Sequence, residues 1–198
     1  MISIKMTTVR AKHPRRPVQC STLSARAQVG INLMIVIALG ANLDSPVGPP
    51  AKTIAAALDA LTANGVRIEA VSAFYKTPAW PDPSDPPFDN AVIRVATAHS
   101  PVQLMEILHK IESVYGRTRG EKNAPRTLDL DLIDYQGRVE QGPPILPHPR
   151  LSERAFVLIP LSDVAPNWRH PATGRSVTEL IAALPEESRT GIVRLTPA

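Results

Sequence analysis

A run of alternating leucine and aspartate residues constrains the fold more than any other feature of the sequence. The run reads Arg126-Thr-Leu-Asp-Leu-Asp-Leu132, and it lies in a segment, Thr127 to Tyr135, that we predict to be a β-strand. Side chains alternate across a strand, so the leucines share one face while Asp129 and Asp131 share the other. The segment must therefore lie in a sheet that has one buried and one polar face.

The remaining hydrophobic periodicities predict three more strands and two helices around this strand. The strands are Met34 to Leu39, Val66 to Tyr75 and Asn90 to Thr97, and the helices are residues 50–64 and 101–115. In the strand from Val66 to Tyr75, the alternating residues 66, 68, 70, 72 and 74 should share one face. The order is β-α-β-β-α-β, which is the ferredoxin-like pattern: an α+β sandwich in which helices pack on one face of an antiparallel sheet.

Local motifs support these boundaries and add one further element. Ser100 and Gln103 form a predicted capping box with Pro101 at the first helical position, and Gly65 and Gly116 are predicted helix stops. A second capping box, Ser176 with Glu179, predicts a short C-terminal helix. Residues 77–89 contain five prolines, which exclude helix and central strand and indicate a long, stiff loop.

The charge distribution predicts a basic leader, residues 1–33, followed by a single domain, residues 34–198. Residues 1–33 hold six of the 22 basic residues and no acid, so residues 34–198 carry 16 basic and 18 acidic side chains. The basic segment has the composition of a transit peptide, but a disordered leader or a start upstream of the true one at Met34 fits equally well. Because the domain itself is slightly acidic, its charge argues against nucleic-acid binding.

Cysteine content and hydropathy indicate the cellular compartment of the protein. Cys20 is the single cysteine and cannot form an internal disulfide, which fits a reducing compartment. No apolar run approaches the ~20 residues that a membrane span needs. We therefore expect a cytoplasmic monomer that binds neither nucleic acid nor a membrane.

The strongest chemical signal is the carboxylate pair in a neighbourhood rich in arginine. Asp129 and Asp131 would repel each other unless a cation lies between them, and Mg²⁺ prefers one or two carboxylates together with waters and phosphates. Guanidinium groups match phosphate oxygens, and these basic residues flank the pair: Arg117, Arg119, Lys122, Arg126, Arg150 and Arg154. Together they resemble the parts of a phosphoryl-transfer site, although a solvated strand face with surface arginines would give the same pattern.

Other candidates are weaker when each is taken alone. His109 and Glu112 are neighbours on one flank of the second helix, where they could bind a ligand or simply be exposed. Phe88 and Phe156 could stack on a flat heterocycle or pack in the core, and Asn90 offers a donor and an acceptor.

The combination of motifs resembles the 6-hydroxymethyl-7,8-dihydropterin pyrophosphokinase family over residues 35–165. The motifs are Ala38-Leu-Gly-Ala-Asn-Leu43, Ser72-Ala-Phe-Tyr-Lys-Thr-Pro78, Phe88-Asp-Asn90, Gly116-Arg-Thr-Arg119, Pro125-Arg-Thr-Leu-Asp-Leu-Asp131, Pro147-His148 and Arg154-Ala-Phe156. The resemblance implies the α+β fold already predicted. It also implies transfer of pyrophosphate from ATP to the pterin hydroxymethyl group, with release of AMP.

The resemblance also implies roles for individual residues. Asp129 and Asp131 would ligate two Mg²⁺ ions and, with Arg117 and Arg126, form the catalytic set. The pterin would be bound by Thr77, Pro78, Phe88, Asn90 and Phe156. ATP would be bound by His109, Glu112, Arg119, Leu132, His148 and Arg154.

Three positions depart from the family pattern, and two other functions stay open. His109 stands where glutamine is common, the loop at 120–124 lacks a frequent tryptophan, and Pro149 replaces a frequent aromatic residue. The alternatives are a non-catalytic ferredoxin-like module that binds a ligand or RNA, and another Mg²⁺-dependent nucleotidyl or phosphoryl transferase.

Overall fold

The computed structural model describes residues 34–79, 82–117 and 124–195. The predicted leader, residues 1–33, and Arg119 lie outside these ranges. The strands are β1 Ile35–Ala41, β2 Arg67–Val71, β3 Tyr75–Thr77, β4 Phe88–Ala96, β5 Asp129–Tyr135 and β6 Val193–Arg194. The helices are α1 Pro50–Ala63, α2 Pro101–Val114, α3 Ala155–Val164, α4 Val177–Ala183 and α5 Glu186–Arg189.

The described strands form one antiparallel sheet around β4. Its order is β5-β1-β4-β3-β6, and β2 pairs with β4 beside β3. The predicted ferredoxin-like α+β class is confirmed. Strand β1 is buried along its whole length because it lies between β4 and β5, and this explains its continuous apolar sequence.

Helices α1 and α2 cover one face of the sheet, as predicted. The leucines at 128, 130 and 132 are buried with Ile35, Ile37 and Leu39 in the core beneath these helices. Both predicted capping boxes are present: Ser100 with Gln103 begins α2, and Ser176 with Glu179 begins α4. Gly65 and Gly116 follow α1 and α2 with φ of 78° and 83°, a backbone region that suits glycine.

The prediction that helices pack on one face only is incomplete, because α3 and α4 cover the opposite face. Val36, Ala38 and Val92 of the sheet pack there with these helices and with Trp168. The sequence-based assignment contained no helix at α3. The residues of α3 are apolar apart from Ser162 and Asp163, and Pro160 lies inside the helix, so the amphipathic period that would reveal a helix is weak.

The single strand predicted from Val66 to Tyr75 is wrong, because the structure divides it into β2 and β3. The register of β2 against β4 shifts between Ile68 and Ala70, and such a bulge turns later side chains to the other face. Ile68 consequently packs on the α1–α2 side, whereas Ala70 packs on the α3–α4 side. Beyond β3, the described residues of the predicted proline loop, 78–79 and 82–87, form neither helix nor strand.

Within the described ranges, no helix combines the length and the apolar character that crossing a bilayer requires.

Candidate active site

Strand β5 presents both predicted carboxylates to one cavity. Asp129 and Asp131 lie opposite Gly40 and Ala38 of β1, and all four residues line a cavity of about 490 Å³. The neighbouring leucines point into the core and fix the strand, so the two carboxylates are held on the same side. The side chains of Asp129 and Asp131 keep 23% and 31% of their surface exposed, which leaves their oxygens accessible from the cavity.

Three of the predicted arginines bind these carboxylates. Arg126 Nη1 donates to Asp129 Oδ2 at 2.8 Å, and Arg154 Nη1 donates to Asp131 Oδ2 at 2.7 Å. Arg117 Nη1 donates to Asp129 Oδ1. The guanidinium groups offset the repulsion between the adjacent carboxylates and concentrate positive charge where an anion could enter.

Glu112 of α2 lies behind this cluster and is almost completely buried. Its Oε1 accepts from the main-chain nitrogen of Leu130 at 2.8 Å and from Arg117 Nη1. Burial raises the pKa of the Glu112 carboxyl, while the hydrogen bond from Leu130 and the charge of Arg117 oppose that rise. Glu112 therefore positions Arg117 against Asp129, and it does not itself line the cavity.

His148 approaches the same cluster from the segment that precedes α3. Its main-chain nitrogen donates to the Ile133 carbonyl at 2.9 Å, and its Nδ1 accepts from the Arg150 nitrogen at 3.2 Å. The proton of a neutral ring is then on Nε2, which lies 3.9 Å from Asp131 Oδ2. Burial lowers the pKa of His148, and this favours the neutral ring at neutral pH.

The other end of the cavity is apolar, with one buried amide. Asn90 is buried and its Nδ2 donates to Thr77 Oγ1 at 2.9 Å. Thr77, Pro78, Phe88, Asn90 and Phe156 all line this end, so the structure brings the whole predicted pterin set together. The Arg154 guanidinium lies 5.6 Å from the centre of the Phe156 ring and links the two ends. Aromatic rings together with an amide suit a flat, polar-edged heterocycle.

Among the described residues predicted to bind ATP, Arg154 alone lines the cavity; Glu112 and His148 lie behind the carboxylate cluster, and the other two lie farther away. His109 is on the exposed side of α2, and the Leu132 side chain is buried in the core beneath α1 and α2. Because core-facing leucines alternate with the aspartates, only the main chain of Leu132 could approach a ligand on the carboxylate side.

Sequence reasoning missed several residues that shape the site. Asn42 is buried; its Oδ1 accepts from the Arg126 nitrogen at 2.7 Å and its Nδ2 donates to the Pro86 carbonyl at 2.9 Å. It thereby joins Arg126 to the proline loop. Its position within the Ala38–Leu43 motif was the sequence signal that could have indicated this role. The cavity is also lined by Arg150, one of the flanking arginines named from the sequence, and by Glu153, Glu187, Ser188, Thr190 and Ile192, which were not named. The last four are distant in sequence from every motif, so no pattern indicated them.

The donor set fits Mg²⁺ better than a metal that needs a complete protein cage. Among the described residues, no three histidine, cysteine, aspartate or glutamate side chains converge as a metal site. Two carboxylates that open into a cavity beside arginines are the oxygen donors that Mg²⁺ takes together with waters and substrate phosphates.

Comparisons with known proteins identify the family to which the sequence is similar. Residues 36–166 match the family described as 7,8-dihydro-6-hydroxymethylpterin-pyrophosphokinase (HPPK). A 2-amino-4-hydroxy-6-hydroxymethyldihydropteridine pyrophosphokinase of Pseudomonas aeruginosa is 39% identical over 166 residues, which cover 83% of this chain and 98% of the relative. One from Synechocystis is 38% identical over 148 residues, covering 74% of this chain and 73% of the relative.

Solved structures show a similar fold. The HPPK-DHPS protein of Plasmodium falciparum, solved with pteroate, superposes with a TM-score of 0.59 at 12% identity and covers 75% of this chain. The present chain spans 44% of that protein, and at this identity the likeness concerns the fold alone.

Proposed function

The chain belongs to the 7,8-dihydro-6-hydroxymethylpterin-pyrophosphokinase family, and we propose that it transfers pyrophosphate from ATP to 6-hydroxymethyl-7,8-dihydropterin. AMP is the second product, and the reaction is a step of folate biosynthesis. The single observation that carries this proposal is the cavity, which holds a carboxylate–arginine cluster at one end and an aromatic, amide-bearing wall at the other. A flat heterocycle and a polyphosphate can therefore meet in one cavity.

The pterin occupies the apolar end in this proposal. Phe88 and Phe156 offer ring faces, and Asn90, held by Thr77, offers an amide edge to the polar rim of the heterocycle. Pro78 closes the same wall. The hydroxymethyl group then points toward the carboxylate end, because that is the direction in which the cavity continues.

The ATP phosphates occupy the carboxylate end. Arg117, Arg126 and Arg154 supply fixed guanidinium donors, and Glu112 keeps Arg117 in place. The neutral His148 ring offers an Nε2–H donor beside Asp131. His109, Arg119 and the main chain of Leu132 remain predicted contacts farther along the nucleotide.

Asp129 and Asp131 would hold the Mg²⁺, and we propose two ions. When bound, the metal supplies positive charge between the phosphates and polarises the reacting oxygens. This proposal rests on the two carboxylates and on the family's dependence on ATP and magnesium.

The reaction needs positioning and charge stabilisation more than covalent participation by the protein. The pterin hydroxyl oxygen bonds to the β-phosphorus of ATP, the bond from that phosphorus to the α-bridging oxygen breaks, and AMP leaves. The hydroxyl proton is released to solvent as the new oxygen–phosphorus bond forms. Arg126 and Arg154, which line the cavity, stabilise the negative charge that spreads over the transferred phosphates, and Arg117 adds positive charge from behind Asp129.

The two alternative functions predict different surfaces or products. An RNA-binding ferredoxin-like module reads RNA with aromatic residues on an open sheet face, whereas helices cover both faces of this sheet. Another phosphoryl or nucleotidyl transferase would release ADP or inorganic pyrophosphate from ATP instead of AMP.

The proposal is tested by identifying the nucleotide released from ATP and Mg²⁺ with and without the dihydropterin. We expect pterin-dependent AMP from the wild type, and a rate lower by about 100-fold or more for Asp129→Asn. Asp59→Asn, which changes an exposed acid on α1, is the matched control and should keep full activity. No AMP from folded wild-type protein would refute the proposal.

A further inference from the structure

The C-terminal segment, which we define as residues 186–194, forms part of the cavity wall. Glu187, Ser188, Thr190 and Ile192 line the same cavity as Asn90 and Phe88. The segment lies beyond residues 36–166, the range matched by the family. The wall of the proposed pterin end therefore includes residues from a part of the chain that the family match does not cover.

The C-terminal segment is attached to the strand that carries the pterin-facing residues. Strand β6 pairs with β3, with Arg194 opposite Tyr75 and Val193 opposite Lys76. Just beyond the segment, the Leu195 nitrogen donates to the Phe74 carbonyl at 2.7 Å. Because β3 continues directly into Thr77 and Pro78, this pairing fixes the edge of the cavity at those two residues.

Asp163 of α3 joins the same elements from the side. Its Oδ2 accepts from the Tyr75 hydroxyl at 3.0 Å and from the Ala73 nitrogen at 3.1 Å, and it lies 3.8 Å from Arg194 Nη2. One carboxylate thus connects α3, β3 and β6.

Gly191 makes the closest approach between the C-terminal segment and the cavity wall. Its φ is 78°, and a methyl group placed on its Cα would lie 3.0 Å from Cγ and 3.4 Å from Cδ of Pro78. The backbone of the segment therefore lies against the Pro78 ring, and a side chain at this position would press on that ring.

We propose that the C-terminal segment is a positioning element that closes the pterin end of the cavity and holds Thr77 and Pro78 in place. This inference rests on the proposed function, because it concerns the binding of that substrate. Since the segment pairs with Tyr75 and Lys76 and lies against Pro78, its disturbance should weaken use of the pterin while use of ATP stays unchanged.

The first test replaces Gly191 by alanine and uses Gly174→Ala as the matched control. Gly174 has nearly the same φ, 72°, but a methyl group there would meet nothing within 4 Å. Both variants carry the same backbone strain, so only the contact with Pro78 distinguishes them. We expect Gly191→Ala to raise the pterin KM by between about 10- and 100-fold, with the ATP KM unchanged and Gly174→Ala like the wild type.

A second test fills the cavity from the C-terminal segment without touching Gly191. Ser188→Trp places a large ring on an exposed residue that lines the cavity, and Arg189→Trp places it on the next, exposed residue that does not. The pterin KM should rise for Ser188→Trp alone. The inference is overturned if Gly191→Ala and Ser188→Trp keep the wild-type pterin KM, or if both substrates' KM values rise together. A wild type that forms no AMP would overturn the proposed function and this inference together.

Discussion

Asp129 is shared between two arginines, whereas Asp131 is bound by one arginine and approached by a histidine. The two carboxylates are therefore compensated by cations before any ligand enters. A phosphate group that enters can take over these guanidinium donors, so the site exchanges one set of charge-assisted hydrogen bonds for another. Such a preorganised arrangement lowers the cost of gathering charge in the transition state.

The geometry of the Arg154 guanidinium matters more than its charge. Arg154 donates to Asp131 and also lies over the Phe156 ring, and lysine cannot reproduce the planar fork that makes both contacts. We expect Arg154→Lys to lower kcat/KM on the order of 100-fold while the melting temperature changes little. Steady-state kinetics and thermal melting check this, with Arg67→Lys, an exposed ion-pair residue, as the control. Near-wild-type turnover by Arg154→Lys would contradict a role for the guanidinium fork.

Asp134 is a buried titratable residue that does not line the cavity. It is completely buried, and it accepts from Trp168 Nε1 at 2.7 Å and from the Gly137 nitrogen at 2.9 Å. Burial raises its pKa above the ordinary value of 3.8, although these hydrogen bonds oppose the rise. The folded state therefore holds this proton more tightly than the unfolded state does.

The raised pKa of Asp134 predicts the sign of a pH effect on stability. Its stabilising contribution is complete below pH 3.8 and is lost as the pH rises through the folded-state pKa. The difference in unfolding free energy, wild type minus Asp134→Asn, should therefore shrink as the pH rises above about 4. Denaturant titrations at a series of pH values measure it.

Asp82→Asn is the control variant for these denaturant titrations at a series of pH values. Hydrogen bonds from Ser84 hold the pKa of the exposed Asp82 below 3.8, so its titration lies under the measured range. The corresponding difference for Asp82 should stay nearly constant from about pH 4 upward. A difference that grows with pH for Asp134→Asn would show that its carboxylate form stabilises the fold.

Strands β1 and β4 lie close together at Gly40, next to the Asn90 amide that lines the cavity. Gly40 pairs with Asn90, and a methyl group on Gly40 would lie 2.9 Å from Asn90 Oδ1 and 3.8 Å from Phe88 Cδ1. Any side chain at position 40 must therefore displace the amide that we assign to the pterin edge.

Gly40→Ala should accordingly impair use of the pterin specifically. We expect its pterin KM to rise by about 10-fold or more, with the ATP KM little changed, because the displaced amide lies at the pterin end. Gly142→Ala is the matched control, since a methyl group there meets nothing within 4 Å. Equal pterin KM values for the two variants would mean that Asn90 does not contact the substrate.

The elements that the sequence predicted are those with a strong local signal. The alternation of leucine and aspartate in β5, the two capping boxes and the glycine stops all act over a few residues, so α1, α2, α4 and the carboxylate face could be read from the sequence. The bulge in β2 and the helix α3 could not, because a register shift depends on the partner strand and α3 has only two polar residues, Ser162 and Asp163. Contacts between residues far apart in the chain, such as Gly191 with Pro78, cannot be predicted from the local sequence.

At the scale of the whole molecule, the cavity lies where several distant segments meet. Residues from β1, β4, β5, the start of α3 and the C-terminal segment contribute to it. The two helical layers bury both faces of the sheet, so the site is supported by a core on each side. Such support keeps the carboxylates and the ring wall in fixed relative positions, as in-line transfer requires.

The residues from 34 onward are proposed to form one catalytic domain. Strand β1 begins at Ile35 and the family match begins at residue 36. A chain that starts at Met34 should therefore keep the kcat, both KM values and the melting temperature of the full chain. Parallel kinetics and thermal melting of the two proteins test this, and a folded shortened chain with reduced kcat would assign residues 1–33 a part in the activity.

The proposed function requires that an intact pyrophosphoryl group is transferred from ATP to the pterin at this cavity. Mass spectrometry of the pterin product, combined with chromatography of the nucleotides, after incubation with ATP, Mg²⁺ and 6-hydroxymethyl-7,8-dihydropterin tests it most directly. We expect a pterin heavier by one pyrophosphoryl group and an equal amount of AMP. An unmodified pterin, or a pterin monophosphate with ADP, would contradict it.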